Sequence, residues 1–146
     1  LDTGGGILNA MQYLSNEPFI VINPDTIWNP EYYKILKFMK DEFILKNQKC
    51  SMLVTNKSKS FDKSFKGDFN LEKNLINRKD KKNLKYIFTG FQILKPEIFS
   101  KTSEKVFSMN KIWDQLIEHN SLNGVESNLN FLHVSNLDVY NKLKKI

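Results

Sequence analysis

Apolar and polar positions follow two rhythms along the chain. Between Gly6 and Leu14, the residues Ile7, Leu8, Met11 and Leu14 recur at helical spacing. This predicts a helix that begins in or just after the three glycines of LDTGGGILNA. PFIVINPD follows, a short β-branched run stopped by Asn-Pro-Asp. Being apolar on both faces, it predicts a strand in the buried interior of a parallel sheet. PEYYKILKFMKDEFILKN places Pro30 at a first helical position, with Tyr32, Ile35, Leu36, Met39 and Phe43 on one face. That is the pattern of an amphipathic helix lying on a sheet. CSMLVTN predicts the next strand. Helix, strand, helix, strand is the order of an α/β fold with crossover helices.

The rhythm changes from Lys57 to Lys85, where Lys, Asn, Asp and Ser dominate. Within that stretch DFNLEKNLINR alternates Phe69, Leu71 and Leu75 around Lys73-Asn74, which predicts a small β-hairpin leaving the main sheet. KYIFTGFQIL predicts a strand whose internal Gly90 marks a bulge or a close approach to the backbone. NKIWDQLIEHN predicts a helix with Ile112, Trp113, Leu116 and Ile117 inward, and NFLHVSNLDVYNKLKKI a short strand, a turn at Ser135-Asn136 and a closing helix. No internal repeat is present. The expectation is one α/β domain spanning residues 1–146, a Rossmann-like mixed and mostly parallel sheet flanked by helices.

Composition narrows the function classes. A chain of 146 residues with 40% hydrophobic positions has the material for one core and not for two. No stretch reaches the roughly 18 apolar residues of a membrane span, and no basic segment leads into an apolar one at the start. A cytoplasmic protein with no membrane partner is the expectation. Cys50 has no second cysteine to pair with, and with only His119 and His133 beside it a Cys/His zinc site lacks ligands. The net charge of +6 invites a nucleic-acid reading. Arg78, however, is the only arginine, and the lysines are scattered through every segment. No nucleic-acid partner is expected.

Three places carry candidate chemistry. INPDTIW ends an apolar strand in an acidic residue, which puts Asp25 at the C-terminal edge of a sheet, where open α/β folds bind ligands and where a carboxylate can hold Mg²⁺. The alternative is a plain turn capped by Asp25. FTGF offers Thr89 and Gly90, a hydroxyl and an uncovered backbone that could meet a ligand, or simply a strand bulge. His133 lies on an apolar strand, as a ligand-facing imidazole or a hydrogen-bonded core residue.

LDTGGGILNA, FIVINPDTIW, KGDFNL, FTGFQILKPEIF, NKIWDQLIEHNSLNG and FLHVSNLDVYNKL, in that order, resemble the sugar-1-phosphate nucleotidyltransferases, in particular the branch of N-acetylmuramate-1-phosphate uridylyltransferases and proteins described as mannose-1-phosphate guanylyltransferases. The resemblance implies transfer of a nucleotidyl group from a nucleoside triphosphate to a sugar 1-phosphate, with Mg²⁺ and release of pyrophosphate. It implies that this chain corresponds to the C-terminal part of such a domain, the Gly-rich phosphate loop and its lysine lying on strands before Leu1. Thr3, Gly4 and Gly5 would then lie beside the nucleotide base, Asn23 would face the nucleotide, Asp68 would contact the sugar phosphate, and Thr89 and Gly90 would meet the sugar hydroxyls. Asp25 would be the metal carboxylate. Two departures stand out: Pro24 replaces a small residue, and His133 stands where the family often has a second metal carboxylate. The imidazole would bind the metal or orient a phosphate or a water. UTP with N-acetylmuramate 1-phosphate is the leading pair and GTP with mannose 1-phosphate the next; a non-catalytic nucleotide-sugar-binding protein of the same fold is the alternative of another class.

Overall fold

The computed structural model describes residues Leu1–Ile146 as three layers, helices on both faces of one six-stranded sheet. The helices are α1 (Asp2–Ala10), α2 (Tyr32–Leu45), α3 (Met109–Glu118) and α4 (Leu137–Leu143). The strands are β1 (Phe19–Ile22), β2 (Cys50–Asn56), β3 (Asn70–Glu72), β4 (Leu75–Asn77), β5 (Tyr86–Leu94) and β6 (Leu122–Ser127), in the order β1-β5-β2-β6-β4-β3. No helix is long and apolar enough to cross a membrane.

The central strands divide the core by the two-residue period of a pleat. On β2, Cys50, Met52 and Val54 face the layer of α1 and α3, where they meet Ile112, Trp113, Leu116 and Phe107. Leu53 faces the other way, with Phe91 and Ile93 of β5, onto Tyr32, Met39 and Phe43 of α2. Every residue from Cys50 to Thr55 is buried, as a strand covered on both faces requires.

The mixed α/β sheet agrees with the sequence reading; its predominant direction does not. Only β2 and β6 pair in parallel, while β1·β5, β2·β5, β3·β4 and β4·β6 are antiparallel. The parallel expectation came from β1, and β1 proves to be an edge strand. Ile20 and Ile22 are about half exposed, so the apolar run had no second covered face. β6 was unassigned, its LNGVES too polar to announce a strand; Gly124 leaves room there for Ile76 and Leu71 to pack across it.

Two local expectations hold. The hairpin turns at Lys73-Asn74 with φ of 48° and 64°, the left-handed pair of a type I′ turn. It does not leave the sheet, since Leu75 pairs with Asn123 and carries β4 and β3 onto the far edge. Gly90 is the bulge. Its φ is +92°, and three residues of β5 between Gln92 and Phe88 oppose one residue of β2.

The glycines of LDTGGG do not precede α1; they form its first turns. Gly4 and Gly5 are buried where α1 crosses the segment before α3. A methyl on Gly4 would overlap the Phe107 ring, and one on Gly5 the Lys105 carbonyl oxygen. Both N–H groups donate to the Phe107 carbonyl, at 2.9 and 3.1 Å. Close packing outweighs the poor helix propensity of glycine here.

Candidate active site

Asp25 lies in the turn after β1, beyond the C-terminal end of the strand. The chain there pairs with the segment before α4: Thr26 bridges His133, Ile27 N–H donates to the Leu132 carbonyl at 2.8 Å, and Val134 N–H to the Asp25 carbonyl at 2.8 Å. Thr26 is buried and donates its hydroxyl to the Thr89 carbonyl at 2.7 Å, which locks the turn onto β5. This pairing brings the Asp25 Oδ2 and His133 Nε2 atoms to 3.2 Å. The imidazole is walled by the rings of Phe65 (5.2 Å between centroids) and Phe131 (5.6 Å). Asp25 Oδ1 and His133 Nδ1 are buried and have no hydrogen-bond partner. A buried carboxylate oxygen of this kind calls for a donor or a cation.

A cavity of about 470 Å³ opens between α1, the end of β1, β5 and α3. Thr3, Asn23, Gln92 and Asn110 give it polar groups, and Phe88 and Trp113 form one wall. The Thr3 hydroxyl oxygen accepts the Met109 N–H at 3.0 Å, joining α1 to the start of α3. Asn23 is seated by Gly90: a side chain at Gly90 would come within 2.7 Å of the Asn23 Cβ.

Of the residues singled out in the sequence, Thr3 and Asn23 therefore line the cavity, and Asp25 and His133 form a pair two residues beyond Asn23. Gly4 and Gly5 are turned into the packing against Phe107, with their N–H groups engaged. Thr89 is buried and donates its hydroxyl to the Leu53 carbonyl at 2.9 Å, a bond inside the sheet. Asp68 accepts the Phe88 N–H at 3.1 Å through Oδ2. Desolvation raises its pKa, opposed by that N–H and by Arg78.

Other residues in this region were not singled out in the sequence as part of a site. Arg78 leaves the end of β4, stacks over Phe69 at 4.4 Å from the ring centre, and reaches the Asp68 carbonyl at 3.1 Å, Asp114 and Asn110. It thereby ties the hairpin to α3 beside the cavity. Gln92 is the one amide of β5, a signal that was available. Its partner Trp113 read as packing alone. A second, basic recess, lined by Lys57, Lys63, Lys66, Lys81 and Lys82, shares Phe65 with the His133 wall. Cys50 is buried and its thiol pKa is pushed well up by desolvation, so it offers no nucleophile.

No group of three or more His, Cys, Asp or Glu residues is arranged to hold a metal. Mg²⁺ takes one or two carboxylates and completes its shell with water and substrate phosphates, so the free Asp25 oxygen fits it. An imidazole already bonded to that carboxylate fits a hard cation poorly.

No family model matches the sequence. Over 136 residues, 92% of the chain, it is 26% identical to the N-acetylmuramate alpha-1-phosphate uridylyltransferase of Caulobacter vibrioides. The inositol-1-phosphate CTP transferase of T. maritima superposes with a TM-score of 0.72 at 16% identity, covering 99% of this chain and 62% of that one. HddC of Yersinia pseudotuberculosis, solved with GMP-PN, superposes at 0.67 with 22% identity, covering 97% and 60%. The chain spans 56% of the length of the uridylyltransferase.

Proposed function

We propose that this chain, similar in sequence to a sugar-phosphate uridylyltransferase and sharing the sugar-phosphate nucleotidyltransferase fold, carries the metal and sugar-phosphate side of a nucleotidyltransferase site. The reaction would join a nucleoside triphosphate to a sugar 1-phosphate and release pyrophosphate. UTP with N-acetylmuramate 1-phosphate is the leading pair, on the strength of the sequence relative.

The observation that carries the reading is Asp25: a carboxylate at the C-terminal end of a strand, with one buried oxygen free and the other held by His133. Asp25 would hold Mg²⁺, which when bound neutralises phosphate charge. His133 fixes the rotamer of Asp25 and, in this reading, replaces a second carboxylate by orienting the first. Asn23 and Thr3 would position the ligand in the adjacent cavity, with Gly4 and Gly5 allowing α1 to lie close enough for Thr3 to reach it. Asp68 and Gly90 act through what they hold: the β5 backbone at Phe88, and the Asn23 side chain. No protein nucleophile is needed, because the attacking phosphate is already an anion; the protein contributes position and charge.

Having one carboxylate where the family often has two favours a second reading, a nucleotide-sugar-binding protein without turnover. One experiment separates them: Mg²⁺-dependent pyrophosphate release by the complete gene product across nucleoside triphosphates and sugar 1-phosphates. Release with one pair, abolished in Asp25→Asn, supports the transferase and identifies its substrates. A folded protein that binds a nucleotide sugar without releasing pyrophosphate supports the second reading.

A further inference from the structure

Gln92 is buried on β5, 2% exposed, and the Trp113 indole donates Nε1–H to its Oε1 at 3.1 Å. An indole N–H is a donor only, so chemistry fixes which way this amide is turned. Reversing it would set two donors face to face. Trp113 is itself held, with edge contacts from Phe69 (5.7 Å between centroids) and Phe88 (5.0 Å). The Nε2 amino group of Gln92 is thereby left to the cavity with no protein acceptor bonded to it. A nearly buried donor in that state calls for an acceptor from a ligand or a water.

The surrounding wall narrows what the acceptor is. Ile7, Val21, Phe88, Met109 and Trp113 supply the apolar lining. A ligand hydroxyl meeting Nε2 would accept its proton and need an acceptor of its own, which the adjacent Val21 and Trp113 side chains do not offer. A carbonyl oxygen only accepts, and a methyl group beside it suits the apolar wall. We infer that Gln92 is a specificity-determining residue that donates to the acyl oxygen of an N-acetylated sugar 1-phosphate, and that Trp113 is the positioning residue that aims it. The inference rests on the proposed nucleotidyltransferase reading and takes this cavity, where the resemblance puts the nucleotide at Thr3 and Asn23, to hold the sugar 1-phosphate beside it.

N-acetylglucosamine 1-phosphate and glucose 1-phosphate differ only in acetamido against hydroxyl at one carbon, and so serve as the probes. Titration calorimetry of the complete gene product should give the acetylated probe a Kd about tenfold lower, the scale of one hydrogen bond. Gln92→Met should bring that ratio close to one. Trp113→Phe keeps the amide but frees its orientation, and should lose part of the ratio. The Gln92 side-chain NH₂ signal, assigned by its absence in Gln92→Met, should shift when the acetylated probe is added to the native protein and shift less in Trp113→Phe. Thermal unfolding of each variant identifies any that fails to fold; if Trp113→Phe does, Gln92→Met and the native NH₂ signal decide. Equal affinity of the native protein for the two probes, or an unchanged ratio in Gln92→Met, overturns the inference and leaves the sugar-phosphate reading standing. Failure of the native protein to bind either probe overturns both.

Discussion

The Asp25–His133 pair and the Gln92–Trp113 pair, to which we assign neighbouring parts of one proposed site, are built in different ways. Asp25 and His133 sit on two connecting segments outside the regular elements, pinned by a single bridge and three short hydrogen bonds. Gln92 and Trp113 come from the middle of a strand and of a helix, and their geometry is a by-product of core packing. Each arrangement suits its task. A carboxylate that must exchange ligands belongs on a segment at the surface, whereas an amide that must discriminate between ligands needs a frame that does not move.

The largest expected effect falls on the first pair. Asp25→Asn keeps the shape of the turn but removes the charge, and should cut Mg²⁺-dependent pyrophosphate release by the complete gene product on the order of 10²- to 10³-fold, with little change in melting temperature. A fall in stability that matched the loss of activity would mean that the pair is structural, and the contrast with the core-built pair would collapse.

The cavity is tested next, through the glycines of α1. Gly5→Ala drives a methyl into the Lys105 backbone, which has no rotamer to move. It should destabilise by about 2 kcal/mol or more in denaturant unfolding. Gly6 is one residue on, yet a methyl there meets nothing within 4 Å and points into the open side of the cavity lining. Gly6→Ala should therefore stabilise by up to about 1 kcal/mol, the ordinary helix preference for alanine. Opposite signs at adjacent glycines would show that α1 is seated by packing at one face only. Equal signs would remove the seating account.

These contrasts also explain what could be read before the structure. α2, the Lys73-Asn74 turn and the Gly90 bulge are local matters of spacing and backbone conformation, and the sequence announces them. The edge position of β1 and the existence of β6 depend on which strands pair across long separations, and composition alone misassigned the one and missed the other. Asp25 and His133 were each singled out in the sequence, because each sits in its own short motif. Their contact was not, since Thr26 and His133 meet across the whole domain. Gln92 and Trp113 were unreadable as a pair for the same reason. Thr89 misled because a hydroxyl on a strand looks the same in sequence whether it faces a ligand or, as here, the Leu53 carbonyl.

The smallest effect concerns how the loop-borne pair is braced. Asp62 accepts the Ser64 N–H at 2.9 Å and the Ser64 hydroxyl at 2.6 Å, and through Oδ2 the Ser135 hydroxyl at 2.7 Å, two residues beyond His133. The Ser64 and Ser135 hydrogen bonds hold its pKa down to about 2, from 3.8. A folded-state pKa below the unfolded one contributes stability above the unfolded value, and that contribution fades as pH falls toward the folded one. Asp62→Asn should thus lower the melting temperature by about 2 °C at neutral pH. The gap from the native protein should shrink between pH 4 and pH 2 and close below it. If the gap persists below pH 2, the carboxylate charge is not what braces the segment. The Phe65 ring, which packs on His133 from the same loop, would then be the brace.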